Sequence, residues 1–232
     1  MSGSAMAPIP EPQAIALLHD YGIPYPDHGL ARSAGEAVGI AGRLGYPVVL
    51  KVVSPDVIHK SDVGGVAVEL GDASSVSRAH AHIARSVQEQ VPGADIQGLL
   101  VCKQAPPGLE VIVGAMDDTM FGPTLMFGLG GMFAEVLKDI TFRIIPIQHH
   151  DAEAMVREIQ GYPLLVGTRG QSGYDVPALI DLLLAVARLV VERPEIEELD
   201  LNPVRLYKEG LLALDARLIQ RAAVKEGHGL AQ

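Results

Sequence analysis

The sequence predicts an α+β fold built as two lobes, and three observations carry that expectation. Runs rich in valine, leucine and isoleucine at 48–53, 66–70, 96–103 and 109–115 have the length and composition of strands. Helical spacing of apolar residues falls between several of them, an order that packs helices on a largely antiparallel sheet. Residues 116–123, with two aspartates and a Gly-Pro pair, then break the pattern before a second set of strands and helices begins. At 232 residues the chain is long enough for two such lobes, and 48% hydrophobic against 20% charged residues can fill their cores. The expected division is an arm at 1–12, an N-terminal lobe at 13–115 and a C-terminal lobe at 116–225.

Each element has a local reason. Small residues and three prolines make 1–12 read as a flexible arm. Ala14, Ile15, Leu17 and Leu18 give a first helix at 13–21, stopped by Gly22. Ile23-Pro24-Tyr25-Pro26 is extended, because a residue before proline is pushed out of the helical region. Ser33 and Glu36 have the spacing of a capping box for a helix that Gly45 closes. Asp72 caps a helix whose Val76, His80, Ile83, Val87 and Val91 share one face and which Pro92-Gly93 ends. The strands at 96–103 and 109–115, joined by Ala105-Pro106-Pro107-Gly108, read as a hairpin-like pair.

In the second lobe, 124–127 and 142–147 read as short strands, and His149-His150 as a solvated turn before a helix capped by Asp151. Residues 167–173 (GTRGQSG) form a polar loop. Asp175 then caps a helix with Pro177 in its first turn and an apolar body at 178–191. Strands at 196–201 and 211–215, with 204–207 between them, complete the chain.

Composition excludes several functions. A net charge of −10 argues against a broad nucleic-acid surface, and the absence of tryptophan with 4% aromatic residues leaves no base-stacking platform. The single cysteine, Cys102, excludes an internal disulfide or a cysteine zinc cluster and reads as strand filler. His80 and His82, two apart, point in different directions and read as surface or packing residues. No apolar run reaches the ~18 residues of a membrane span, and 1–12 lacks the basic and apolar regions of a secretory signal, so the cytoplasm is the expected location.

Lys51 is the residue that points to chemistry. It lies among Val48, Val49, Leu50, Val52 and Val53, where a lysine must meet an anion or bear a desolvation cost of several kcal/mol. A phosphate suits it; the alternative is an edge strand with Lys51 reaching water. Lys60, Lys103, Lys138 and Arg143 are further candidates for an anionic ligand. Gly128-Leu129-Gly130-Gly131 before a helix-compatible stretch at 132–138 could form a phosphate-binding nest through Gly130 and Gly131, or a plain turn. Asn202 and Asp215 are hard oxygen donors on neighbouring strands and could share a Mg²⁺, although Asn202 with Pro203 also reads as the start of a turn. His59, beside Lys60 and Ser61, is either a nucleophile on a loop or a histidine bonded to Asp62 or backbone.

Lys51 followed by His59-Lys60-Ser61-Asp62-Val63-Gly64-Gly65, the later Gly108-Leu109-Glu110 and the C-terminal Asp200-Leu201-Asn202-Pro203 together resemble the ATP-grasp β subunit of ADP-forming acyl-CoA synthetases (acetate:CoA ligase, ADP-forming). These are relatives of the succinyl-CoA synthetase β subunit. The likeness spans residues 11–218 and is most specific at HKSDVGG. It implies an ATP-grasp fold of two α+β lobes clasping ATP or ADP with Mg²⁺. The implied reaction interconverts acyl-CoA, ADP and phosphate with carboxylate, ATP and CoA. A separate CoA-binding α subunit is implied, in an α2β2 assembly.

The resemblance also assigns roles. Lys51 would contact the nucleotide phosphates, Val101, Cys102, Lys103 and Gln104 would line the adenine pocket with backbone groups, and Glu110 would bind the ribose. Lys103 stands where many ATP-grasp enzymes carry an acidic residue. Asn202 and Asp215 would hold the metal, Arg143 would neutralise the transferring phosphoryl group, His59 would carry it, and Asp200 would orient the phosphorylated imidazole. The rival readings are a stand-alone ATP-grasp carboxylate ligase and a non-catalytic nucleotide-sensing module.

Overall fold

The computed structural model describes residues 6–57, 59–131, 139–167 and 172–221. The stretch expected as a helix at 132–138, with Lys138, lies outside these residues, as do most of the 167–173 loop and the end of the second lobe. The chain begins with β1 (Met6–Ile9), α1 (Glu11–Asp20), β2 (His28–Ala31), α2 (Ala34–Leu44), β3 (Val48–Val53), β4 (Val66–Leu70), α3 (Ala73–Gln90) and β5 (Gly98–Lys103). It continues with β6 (Leu109–Asp118), β7 (Gly122–Leu129), β8 (Ile140–Ile144), α4 (His149–Glu158), α5 (Tyr162–Val166), α6 (Val176–Glu192), β9 (Ile196–Leu206), β10 (Leu211–Ala213) and β11 (Arg217–Arg221).

Strand alternation builds the smaller sheet. Val48, Leu50 and Val52 of β3 are fully buried against Ala37, Ile40 and Ala41 of α2 and Val76, Ile83 and Val87 of α3. Lys51 therefore points to the opposite face. The order is β2-β5-β3-β4, antiparallel throughout, so β3 is central rather than an edge strand. The caps form as the spacing predicts: Asp72 and Ser75 make a reciprocal capping box on α3. On α2, Ser33 Oγ accepts from the Glu36 N–H at 3.2 Å, while Glu36 accepts from the N–H of Arg32, not Ser33.

The larger sheet runs β1-β11-β9-β6-β7-β8, with β10 on β9. Val111, Val113, Leu125, Phe127, Leu199 and Leu201 form its core with Met155 of α4, Leu179, Leu183 and Val186 of α6, and Ala14 and Leu18 of α1. A third, small apolar cluster joins the lobes: Ile15 of α1 packs with Val53, Leu100 and Cys102 of the smaller sheet.

Three expectations change. The arm is not free at 6–9: Met6–Ile9 pairs with Leu218 to Arg221, and an edge strand tolerates Pro8 because it needs no outward donor there. The stretches 96–103 and 109–115 are not a hairpin. β5 pairs with β2 and β3, whereas β6 pairs with β7 and β9, because Val111, Val113 and Ala115 bury in the larger core. The chain accordingly crosses to the smaller lobe after α1 and returns through the proline-rich 104–108 segment. Residues 119–121, inside the 116–123 stretch, are the turn of the β6/β7 hairpin, where Asp118 Oδ1 accepts from the N–H groups of Met120 (2.8 Å) and Phe121 (3.0 Å). In the second lobe, α4 starts at His149 with Gln148 as its N-cap, and Asp151 reaches back to the Gln148 N–H at 2.8 Å. The histidines open the helix instead of preceding it.

Candidate functional site: a charged cleft between the lobes

Lys51 finds carboxylates of its own chain. The residue is 7% exposed, and its Nζ donates to Glu11 Oε1 at 2.9 Å and Tyr25 Oη at 2.7 Å and to the Leu214 carbonyl, with Asp215 Oδ1 at 3.3 Å. Lys60 joins the same group: its Nζ lies 2.9 and 3.2 Å from the two Asp215 oxygens and 3.2 Å from Glu11 Oε2. Two lysines from the smaller lobe thus face two carboxylates, one on α1 and one beyond β10.

Burial and charge act against each other here. Burial pushes the Lys51 ammonium down, but Glu11, Tyr25 and Asp215 outweigh it and hold the group well above the ordinary lysine range. Burial also pushes Asp215 up, yet Lys51 and Lys60 prevail and keep its carboxyl well below the usual range. Glu11, 5% exposed, stays raised because burial exceeds the attraction of Lys51 and Lys60. Its Oε2 makes no well-formed hydrogen bond and relies on the ion pair with Lys60.

β9 supplies the remaining oxygens. The ladder to β6 jumps from Val111↔Val204 to Val113↔Leu201, so Asn202 and Pro203 together oppose Ile112 alone. Such a bulge re-aims a side chain. Leu201 and Val204 are both buried, and Asn202 is exposed into the cleft. The strand continues through Asn202-Pro203, so these residues do not begin a turn. Asp200 lies on the same face as Asn202, opposite Arg217 of β11. Burial pushes its carboxyl up, with Arg217 opposing.

These groups border one cleft of about 710 Å³, within the range of small-molecule sites. Its walls carry Lys51, His59, Lys60, Cys102, Lys103, Gln104, Asp200, Asn202, Arg205, Asp215 and Arg217. Among the described residues no group of three His, Cys, Asp or Glu could hold a metal by itself. The oxygens of Asn202 and Asp215 nonetheless fit magnesium, which takes one or two protein ligands and completes its shell with phosphates and water. The flanking cations Lys51, Lys60, Lys103, Arg205 and Arg217 fit a nucleotide polyphosphate.

Other candidates are placed differently. Arg143 does not reach the cleft: it lies on β8, in register with Leu125 two strands from β9, and its guanidinium pairs with Glu158 of α4. Strand alternation sends Arg143 to the helix side of the sheet. Val101 is fully buried in the smaller core and is not part of the cleft wall. The N–H groups of Lys103 and Gln104 already donate to Asp27 O (2.8 Å) and Pro47 O (3.1 Å), and Lys103 Nζ donates to Gly45 O (2.9 Å) and Tyr46 O (3.0 Å). Glu110 sits beside the cleft, bound by Arg205 at 2.6 Å. Gly130 and Gly131 pack on it: the Gly130 N–H donates to Glu110 O at 2.8 Å, and Gly131, at φ 60°, has no side chain to crowd Glu110 Oε2.

Sequence reasoning missed Glu11, Tyr25, Arg205 and Arg217. Glu11 falls in the stretch that composition reads as an arm, and its contact with Lys51 spans 40 residues. An acid in the first turn of an otherwise apolar helix face was the available signal.

Comparison with known proteins points to one family. A family model described as an ATP-grasp domain matches residues 6–219. The chain is 45% identical over 212 residues to the acetate–CoA ligase [ADP-forming] I subunit beta of Pyrococcus furiosus, covering 91% of each chain. It is 46% identical over 207 residues to acetate–CoA ligase [ADP-forming] I of Archaeoglobus fulgidus, covering 89% of this chain and 30% of that one. Among solved structures it is similar to an acetyl-coenzyme A synthetase 1 of Ca. Korarchaeum cryptofilum in complex with coenzyme A and Ca-AMPCP. There the TM-score is 0.89 at 46% identity, covering 93% of this chain and 94% of that one.

Proposed function

Because this chain belongs to the ATP-grasp family, and within it to the β subunits of ADP-forming acetate–CoA ligases, we propose that it binds ADP or ATP in the interlobe cleft and works with a CoA-binding α subunit. Together they interconvert acyl-CoA, ADP and phosphate with carboxylate, ATP and CoA. The observation that carries this reading is the convergence of Lys51, His59, Asp200, Asn202 and Asp215, spread over 165 positions of sequence, on one cleft. The Archaeoglobus relative, of which this chain matches 30%, supports a partner that supplies the remaining machinery. An α2β2 assembly in the cytoplasm is the arrangement we expect; light scattering of the co-purified subunits tests the stoichiometry.

Lys51 donates to the nucleotide phosphates, exchanging part of its carboxylate shell for them. The wall at Cys102, Lys103 and Gln104 holds the base, and the Glu110–Arg205 pair meets the ribose. Asn202 and Asp215 hold magnesium, which when bound neutralises charge on the phosphates. His59 attacks with a ring nitrogen the phosphorus of an acyl phosphate formed with the α subunit, the carboxylate leaving as the P–O bond breaks. The phosphoryl group then passes to the terminal phosphate oxygen of ADP, which frees the imidazole. Asp200 accepts the N–H of the other ring nitrogen and so fixes the reactive tautomer. Arg217, on the cleft wall beside Asp200, takes the neutralising role that Arg143 is too distant to fill.

Incubation with labelled ATP, Mg²⁺ and the α subunit is expected to leave acid-labile, base-stable label on this chain. His59→Ala should lose that label and retain ATP binding. Full overall turnover by His59→Ala would defeat the relay.

A further inference from the structure

The segment that carries His59 is fixed at both ends of one residue. Lys60 O accepts the Gly65 N–H at 2.7 Å, which closes the 60–65 loop, and Gly65 O accepts the Val52 N–H at 2.8 Å, which ties the loop to β3. A side chain at Gly65 would meet Lys60 O at 2.8 Å and Val52 Cγ1 at 2.6 Å, so the closure leaves no room for any other residue. The Lys60 side chain, 14% exposed, then crosses to the other lobe and ends on Asp215 and Glu11. His59, immediately before it, is exposed at the cleft.

Asp215 cannot serve Lys60 and a divalent cation equally. A cation bound to its oxygens would stand about 3 to 5 Å from the ammonium, where like charges in a partly buried site repel strongly. Lys51 would keep Glu11, Tyr25 and the Leu214 carbonyl, whereas Lys60 would keep only the poorly bonded Glu11 Oε2. We infer that Lys60 is a positioning residue for His59: its ammonium latches the 59–65 loop to Asp215 and Glu11, and a cation with nucleotide at Asp215 releases the latch. The inference rests on the reading of Asp215 as a cation ligand given above. It makes loading of the nucleotide site the event that frees the phosphoryl-carrying loop to travel.

Amide hydrogen exchange of the full chain, with and without Mg²⁺ and ADP, tests this alongside calorimetric titration of the nucleotide. Without ligand, Lys60→Met should exchange the Gly64 and Gly65 amides at least about tenfold faster than wild type, with α3 unchanged as a folding control, and Lys60→Arg should restore protection. Saturating Mg²⁺ and ADP should speed the same amides in wild type and leave Lys60→Met unaltered. Lys60→Met should also reach half-saturation with nucleotide at a lower Mg²⁺ concentration.

Equal loop protection in wild type and Lys60→Met overturns the latch, as does a wild-type loop that is unchanged or slowed by ligand. The wild-type arm needs no variant and decides even if Lys60→Met loses α3 protection. If calorimetry detects no nucleotide binding, the proposed function falls, and the ligand-free comparison alone then decides the latch.

Discussion

At the Lys51 cluster the two lobes meet with opposite charge, two lysines of the smaller lobe against two carboxylates of the larger, while Arg205 and Arg217 of the larger lobe line the same cleft. From the smaller lobe come Lys51, His59, Lys60 and Lys103; from the larger lobe and its helix α1 come Glu11, Asp200, Asn202 and Asp215. Neither set is satisfied alone, since Lys51 would be a buried cation in an apolar sheet and Glu11 a buried anion on an apolar helix. A carboxylate elsewhere shows the contrast: Asp139, 6% exposed, accepts from the N–H groups of Gln160 and Gly161, both at 2.7 Å, and needs no counter-ion. Asp139 is held by backbone donors of its own lobe, whereas the interlobe carboxylates are held by lysines of the other lobe.

The strongest way to break this comparison is to remove the central cation. Lys51→Ala leaves Glu11 buried without its main partner, and loss of one member of a buried pair typically costs about 3–5 kcal/mol. Urea denaturation should show that loss, and calorimetry should show weaker ADP binding in whatever fraction folds. Unchanged values in both would mean that the lysine is not shared between the lobes.

Cys102 sharpens the comparison from the seam itself. Burial pushes its thiol up to about 12, although Lys51 pulls the other way. At pH 8 its alkylation by iodoacetamide should be roughly a thousandfold slower in the folded protein than in urea, the thiolate fraction falling tenfold per unit. The unfolded thiol loses its proton near pH ~8.5, before the folded one. The thiol therefore makes no pH-dependent contribution below that value, and stability should fall as pH rises from there towards 12. Rapid alkylation of the native protein at pH 8 would show that the lobes part readily.

Asp215→Asn should raise the Mg²⁺ concentration for half-maximal turnover at least about tenfold, and Asn202→Ala by less, because a neutral amide is the weaker ligand to lose. Parental Mg²⁺ dependence in both would move the metal elsewhere.

The smallest effect is expected outside the cleft. Arg143→Ala breaks a part-exposed pair with Glu158 and should cost up to about 1 kcal/mol of stability, with turnover near wild type. Arg217→Ala should lower kcat by far more than Arg143→Ala does. The reverse ranking would restore the phosphoryl-contacting role to Arg143.

By itself the sequence determined the elements whose causes are local. The apolar, β-branched run from Val48 to Val53 marked a buried strand, Asp72 and Asp175 marked helix starts, and the incongruity of Lys51 marked the site. The resemblance at HKSDVGG and Asp200-Leu201-Asn202-Pro203 added the chemistry. Only the tertiary structure decided which sheet each strand joined. β5 and β6 are adjacent in sequence, yet hydrogen-bond ladders and core volume, which are long-range, send them to different lobes. Register across three strands likewise removed Arg143 from the cleft and placed Arg217 there, something a period of two within one strand cannot reveal. Glu11 and Lys60 became partners for the same reason: burying a charge demands a counter-charge, but the demand names no position, and folding brought these two together from opposite lobes.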